Sequence, residues 1–403
     1  MVYMCVVLPK SSRFVKKLCK FCRNEAECIQ EIVAEISNKV IVASINHSKE
    51  GLFGMDSRIE KLNSYVDIGS SGVRVVGICG MGGSGKTTLA RVYYNYMSRQ
   101  FEGSSFLANV REVCEKMTNG LESLQEQLLS ETLKGNQQMK IWNSFQGTDM
   151  IRSRLRHKKI LVVIDDVNDL EQLEKLAGGL DWFGSETRII VTTRDESLLA
   201  GHGLGTIYKI GQLNYIEAHQ HFAWNAFKST SSFPPLQEYA LLSKQVVKYC
   251  DGLPLALKIL GSFLYGKSVK EWKSALKRLQ ESPNKKIFAT LRISFDGLEE
   301  TEKAIFLDVA CFFKGMDKDF VTIILNGCGL HPDIGIRSLL DKSLLTISGG
   351  NGLWMHDLLQ EMGREIVREE SRTEPGRRSR LWRCDDVLHV LKNDTVRSSL
   401  LNY

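Results

Sequence analysis

GICGMGGSGKTTLA, residues 77–90, carries two overlapping patterns. Gly80, Gly82 and Gly85 fit G-x-G-x-x-G, the dinucleotide-binding fingerprint. Gly80 through Thr87 fit G-x-x-x-x-G-K-T, the phosphate-binding P-loop, with Gly83 and Ser84 inside the loop and Thr88 just after it. Lys86 and Thr87 separate the two readings. A P-loop uses the lysine as a cation for the β- and γ-phosphates and the hydroxyl for magnesium, whereas a dinucleotide site leaves that lysine without a purpose. A dinucleotide site also wants an acid at the end of the second strand. Glu102 lies at a suitable sequence distance, but before SSFLANV (104–110) rather than after it. The P-loop is the better reading.

The flanks supply the context that a P-loop needs. VRVVGIC (73–79) reads as a buried strand and the stretch through Met97 as a helix. SSFLANV, KILVVIDD (159–166) and TRIIVTT (187–193) read as further strands, and ESLQEQLLSETL (122–133) as a helix. This rhythm predicts an α/β P-loop NTPase fold, a parallel sheet with flanking helices. Asp165 and Asp166 follow a buried strand, where an unpaired carboxylate is costly. Asp165 is the candidate magnesium-linked residue together with Thr87, and Asp166 the candidate to position or activate a water. Asp166 could instead cap the helix that starts near Asp169. Arg194, at the end of the fourth strand, could sense a terminal phosphate.

Beyond residue 211 the strand signal fades. YIEAHQHFAWNAF (215–227), QEYALLSKQVVKYC (237–250) and EWKSALKRLQ (271–280) have helical patterns, and Pro254 suits a first helical turn. From residue 285, helices followed by a strand pair around LLTISGGNGLWM (344–355) predict a winged-helix domain. The expected order is therefore a leader with an opening helix (1–50), a P-loop domain (51–210), a helical domain (211–284), a winged-helix domain (285–370) and a basic linker (371–403). The opening helix rests on Cys28, Ile29, Ile32, Val33, Ile36 and Val40 at helical spacing.

Hydrophobic residues make up 43% of the 403 and charged residues 25%, as in globular proteins with a core. A net charge of +6 is too weak to indicate nucleic acid by itself. Ten cysteines without a secretory signal fit reduced thiols. Cys19, Cys22 and Cys28 hint at zinc, but no nearby histidine or second C-x-x-C completes a tetrahedral site. No stretch approaches the ~18 apolar residues of a membrane span. A soluble intracellular protein is expected, cytoplasmic with the nucleus open to it.

GMGGSGKTTLA, FLANVRE, LVVIDDV, TRIIVTTRD, GLPLALKILG, FLDVACFF and MHDLLQEMGREIVREES, in this order, resemble the nucleotide-binding module of plant NB-ARC immune receptors. DDVN, FLANVRE, FLDVACFF, GLFGMDSRIEKL and PGRRSRLW resemble its TIR-type branch. The resemblance implies a defence-signalling switch that holds ADP at rest and exchanges it for ATP, with magnesium and slow hydrolysis at most. It implies that Pro254 packs on the adenine, that Phe53 and Gly54 lie by the base, that His356 reaches the ADP β-phosphate and that Asp357 steadies the closed form. Other immune receptors or self-association are the implied partners. It further implies a TIR domain before residue 51 and leucine-rich repeats after residue 403, so the expected chain is a form lacking both. The alternative is a DNA-acting P-loop ATPase with a winged helix, as in replication initiators, which the basic tail (Arg372, Arg377, Arg378, Arg380, Arg383) favours slightly. The GLPLA and MHD segments favour the switch, and nucleic acid is not the expected partner.

Overall fold

The computed structural model describes residues 51–133, 140–203, 206–228, 237–281 and 284–393. The chain divides into two units, 1–50 and 51–403, and all described residues belong to the second. The opening helix and the Cys19–Cys22–Cys28 group lie outside the described residues.

Five strands form one parallel sheet in the order β2-β3-β4-β1-β5: β1 Arg74–Cys79, β2 Gly103–Leu107, β3 Ile160–Val167, β4 Arg188–Thr193 and β5 Ile207–Lys209. β1, β3 and β4 are buried almost throughout because helices cover both faces. One face packs Leu124, Leu128, Ile151 and Leu173 from α4 (Gly120–Leu133), α5 (Ser144–Leu155) and α6 (Leu170–Ala177). The other packs Leu62 and Val66 of α1 (Met55–Val66) and Leu89 and Tyr93 of α2 (Lys86–Met97). Arg188, 1% exposed on β4, donates to the carbonyls of Val66, Asp67, Ser70, Gly72 and Thr187. These acceptors replace its hydration and fasten the end of α1 to the sheet.

The sheet differs from the expected four strands in two details. SSFLANV stops at Leu107, since Asn109 adopts φ 52° and α3 (Val110–Lys116) begins. β5 has only three residues, too few to show a periodic pattern.

The helices after the sheet lie where their periodicity places them. They are α8 (Tyr215–Phe227), α9 (Gln237–Cys250), α10 (Pro254–Leu264) and α11 (Val269–Glu281), with α7 (Glu196–Gly201) before β5. Asn214 and Glu217 close a capping box on α8, and Pro254 occupies the first turn of α10. Trp272, 1% exposed, packs against Phe222, Phe227 and Tyr239 and donates to the Leu264 carbonyl.

α12 (Lys285–Asp296), α13 (Glu300–Asp308), α14 (Lys318–Gly327), α15 (Pro332–Asp341), the antiparallel pair β6 (Thr346–Ile347) and β7 (Leu353–Trp354), and α16 (Asp357–Glu370) follow. EKAIFLDVACFF is α-helical only to Asp308 and then winds as a π-helical turn over Val309–Phe313. α17 (Cys384–Asn393) ends the described chain. Three arginines of the basic tail meet carboxylates of the same chain: Arg372 pairs with Glu365, Arg378 with Asp386 and Arg380 with Asp308. Arg378 and Arg380, both largely buried in these pairs, therefore serve to fold this segment. No helix among the described residues is long and apolar enough to cross a membrane.

Candidate nucleotide site

The P-loop joins β1 to α2 and is shaped by its glycines. Gly83 and Gly85 adopt φ 79° and 94°, conformations that only glycine enters cheaply. Lys86, at the start of α2, is 7% exposed and donates to the carbonyls of Gly80 (2.6 Å) and Met81 (2.9 Å). Burial, followed by repulsion from Arg194, lowers its pKa to about 8. A cation held in this way is ready to exchange loop carbonyls for phosphate oxygens.

Thr87 donates its hydroxyl to Asp165 Oδ1 at 2.8 Å, and Thr192 donates to the same oxygen at 2.7 Å. Asp165 is fully buried, and its Oδ2 has no hydrogen-bond partner among the described residues. An orphaned buried carboxylate oxygen beside the P-loop hydroxyl fits magnesium, whether it binds the ion or one of its waters. Ser84 Oγ is likewise buried without a partner.

A cavity of about 400 Å³ opens in front of the loop, a size suited to a small ligand. Gly83, Gly85, Lys86, Thr87 and Thr88 line one end with Asp166 and Arg194. Phe53 and Pro254 line it together with Leu213 and Leu255, which gives that region an apolar wall. The Leu255 N–H donates to the Gly83 carbonyl at 3.3 Å, so α10 is tied directly to the P-loop. Gly54, Gly80, Gly82, Ser84, Asp165 and His356 are not among the lining residues.

Three expectations take a different form. Asp166 sits at φ 58° where the β3–β4 register shifts, and that irregularity aims its carboxylate at the cavity. Its Oδ2 accepts from Arg111 Nε at 3.0 Å, and Oδ1 lies 3.5 Å from Arg194 Nε. Two guanidinium groups therefore occupy the group expected to activate water. Asp166 is not the cap of α6 either, since Asp169 caps it.

His356 caps α16 instead of lining the cavity. Its Nδ1 accepts the Leu358 N–H at 3.1 Å, so Nε2 carries the proton and donates to the Asp251 carbonyl, also at 3.1 Å. Burial holds its pKa below the ordinary 6.5. The ring thus links the winged-helix segment to the end of α9 beside GLPLA. Asp357 is 65% exposed and pairs with Lys314 next to the π-helical turn.

Arg58, Arg111, His221 and Lys258 also line the cavity, and the sequence reading assigned them no role. Arg58 donates to the Gly211 carbonyl, and His221 bonds the Gly51 carbonyl while meeting Phe53 edge-on. They come from α1, α3, α8 and α10, so no local spacing connects them. Arg194 reaches in the other direction too: its Nη1 donates to the Thr290 carbonyl of α12 at 3.0 Å.

The sheet order, the P-loop, the buried acid opposite it and the winged-helix segment define a P-loop nucleotide-binding protein. Comparison with known proteins narrows the class. Residues 55–232 match the NB-ARC domain, and residues 299–371 match the winged-helix domain of Roq1-like disease resistance proteins. The chain is 44% identical to Disease resistance protein RUN1 of Vitis rotundifolia over 90% of its length, and 41% identical to TMV resistance protein N of Nicotiana glutinosa over 93%. It spans 27% and 32% of those two proteins. Among solved structures it is similar to the Walker-type ATPase PABY2304 of Pyrococcus abyssi, with a TM-score of 0.54 and 12% identity, over 78% of this chain and 97% of that one. The chain thus carries an NB-ARC domain followed by a winged-helix domain of the type found in plant disease resistance proteins.

Proposed function

We propose that the chain is an ADP/ATP switch in plant immune signalling, closed around ADP with magnesium and opened by exchange for ATP. The observation that carries this reading is the convergence of separate parts of the chain on one cavity. The P-loop forms one wall, Pro254 and Leu255 of α10 another, and Arg194 at the cavity extends to α12. A ligand held by several mobile parts shifts their arrangement by as much as its affinity differs between the two states.

In this reading Lys86 and the P-loop amides hold the β-phosphate, Thr87 and Asp165 carry magnesium, and Phe53, Leu213 and Pro254 enclose the adenine. His356 acts as a latch from the winged-helix segment onto the end of α9, and comes within reach of the β-phosphate when ADP is bound. Asp357 steadies the start of α16 through Lys314. Hydrolysis is slow, because Asp166 is engaged by two arginines. The protein works in the cytoplasm, with other immune receptors or further copies of itself as partners.

The test is to denature the purified chain and identify the released nucleotide by anion-exchange chromatography. About one ADP per chain is expected. An empty site in protein that is folded by circular dichroism would refute the resting state proposed here.

A further inference from the structure

Arg111, Asp166 and Arg194 form a charge triplet at the phosphate end of the cavity. Arg111 Nε holds Asp166 Oδ2 at 3.0 Å, and Arg194 Nε stands 3.5 Å from Oδ1. All three side chains are more than four-fifths buried, with exposures of 18–19%. All three line the nucleotide cavity, and all three line a second cavity of about 450 Å³ shared with Ser294 and Asp296 of α12. Cations are crowded here: Arg194 is the leading charge that lowers the Lys86 pKa, and Arg111 in turn lowers that of Arg194. One carboxylate is shared between two guanidinium groups, and such a cluster favours a further anion.

We infer that Arg111 is a second terminal-phosphate arginine and that Asp166 is the counter-ion that occupies both arginines until a third phosphate arrives. The inference rests on the nucleotide-switch reading and deepens it. With a diphosphate, Asp166 neutralises the pair, and Arg194 keeps its bond to the Thr290 carbonyl. A γ-phosphate brings a stronger, multiply charged acceptor to the same end of the cavity. Arg111 and Arg194 turn to it, Asp166 is displaced, and the Arg194 bond to α12 is exchanged. Selectivity for the third phosphate thus depends on competition between a carboxylate and a phosphate for the same two donors.

The experiment measures affinities of the nucleotide-stripped full chain for ADP and for the non-hydrolysable analogue AMP-PNP by calorimetry. Arg111→Ala is expected to shift the ratio of the two affinities about tenfold toward ADP, the effect of losing one charge-assisted contact. Asp166→Asn is expected to shift it severalfold toward AMP-PNP, since both arginines lose their competitor. In the double variant the ratio is expected to lie about tenfold nearer to ADP than in Asp166→Asn alone, because Arg111 acts on the phosphate itself. An unchanged ratio in Arg111→Ala overturns the inference. So does weaker AMP-PNP binding in Asp166→Asn, which would make that carboxylate a direct participant. A double variant with the same ratio as Asp166→Asn also overturns it, because Arg111 would then act only by positioning Asp166. Lys86→Ala separates the two levels: undiminished ADP binding there would sink the nucleotide site as a whole rather than the role of Arg111.

Discussion

Lys86 shows how one side chain can link nucleotide binding to pH. With a free-state pKa of about 8, the amine is protonated at neutral pH and neutral in mild alkali. Its pKa is lowered by burial, so the folded chain without ligand binds fewer protons than the unfolded chain between about 8 and 10.5. The group therefore destabilises the empty fold below pH 8, and that penalty disappears as pH rises toward 10.5. A bound phosphate reverses the balance, because it favours the ammonium. Nucleotide affinity should then fall about tenfold per pH unit above pH 8, until the pKa of the bound state is reached. Lys86→Gln should bind weakly at every pH and lose this slope, as titration calorimetry from pH 7 to 9.5 would reveal. A variant that kept the slope would show that another group titrates. Lys86, Thr87 and Asp165 are legible in the sequence because the P-loop and the double acid are local patterns with a mechanism. Arg58, Arg111, His221 and Lys258 are not, since only the folded chain brings them to one cavity.

At the scale of elements, the contact between the P-loop and α10 ties two walls of the cavity together. Gly83 has φ 79°, and a Cβ added there would lie 2.8 Å from Leu255 Cβ. Gly69 has φ 97°, with nothing within 4 Å of such an atom. Alanine at either position incurs left-handed backbone strain of roughly 1–2 kcal/mol. Only Gly83→Ala also pushes on α10. Both variants are expected to unfold at a lower temperature than wild type, while Gly83→Ala alone loses its copurified nucleotide. Equal nucleotide content in the two would mean that the packing of α10 on the loop does not matter for retention. The helices of this region are readable because their apolar positions recur over three or more turns, as in 215–227 and 237–250. The contact itself is not readable, because the Leu255 amide meets the Gly83 carbonyl across 172 residues of chain.

At the scale of the molecule, His356 marks where sequence reasoning ran out. The MHD segment is visible, but its position depends on how the winged-helix segment docks on the end of α9. The ring uses both nitrogens, one as acceptor and one as donor, so it must be neutral to keep both bonds. Burial lowers its pKa, Asp251 and Asp357 oppose the shift, and Lys314 reinforces it. The unfolded chain takes up a proton near the ordinary value of 6.5 and the folded chain only at a lower pH. Below 6.5 this group therefore costs stability, with the loss growing until the folded pKa is reached. Protonation of Nδ1 would remove the cap of α16 and weaken the link to Asp251. Acidification from pH 7.5 to 5.5 should therefore speed ADP release from wild type. His356→Asn retains a cap acceptor that does not titrate in this range, at a cost of about 1 kcal/mol for the lost Asp251 bond. Its ADP release should be faster than wild type at pH 7.5 and less sensitive to acid. Stopped-flow displacement of a fluorescent ADP analogue, read against pH, distinguishes the cases. An unchanged acid sensitivity in His356→Asn would move the pH response to another buried histidine, and His221, held below its ordinary pKa beside Phe53, would then be the group to replace.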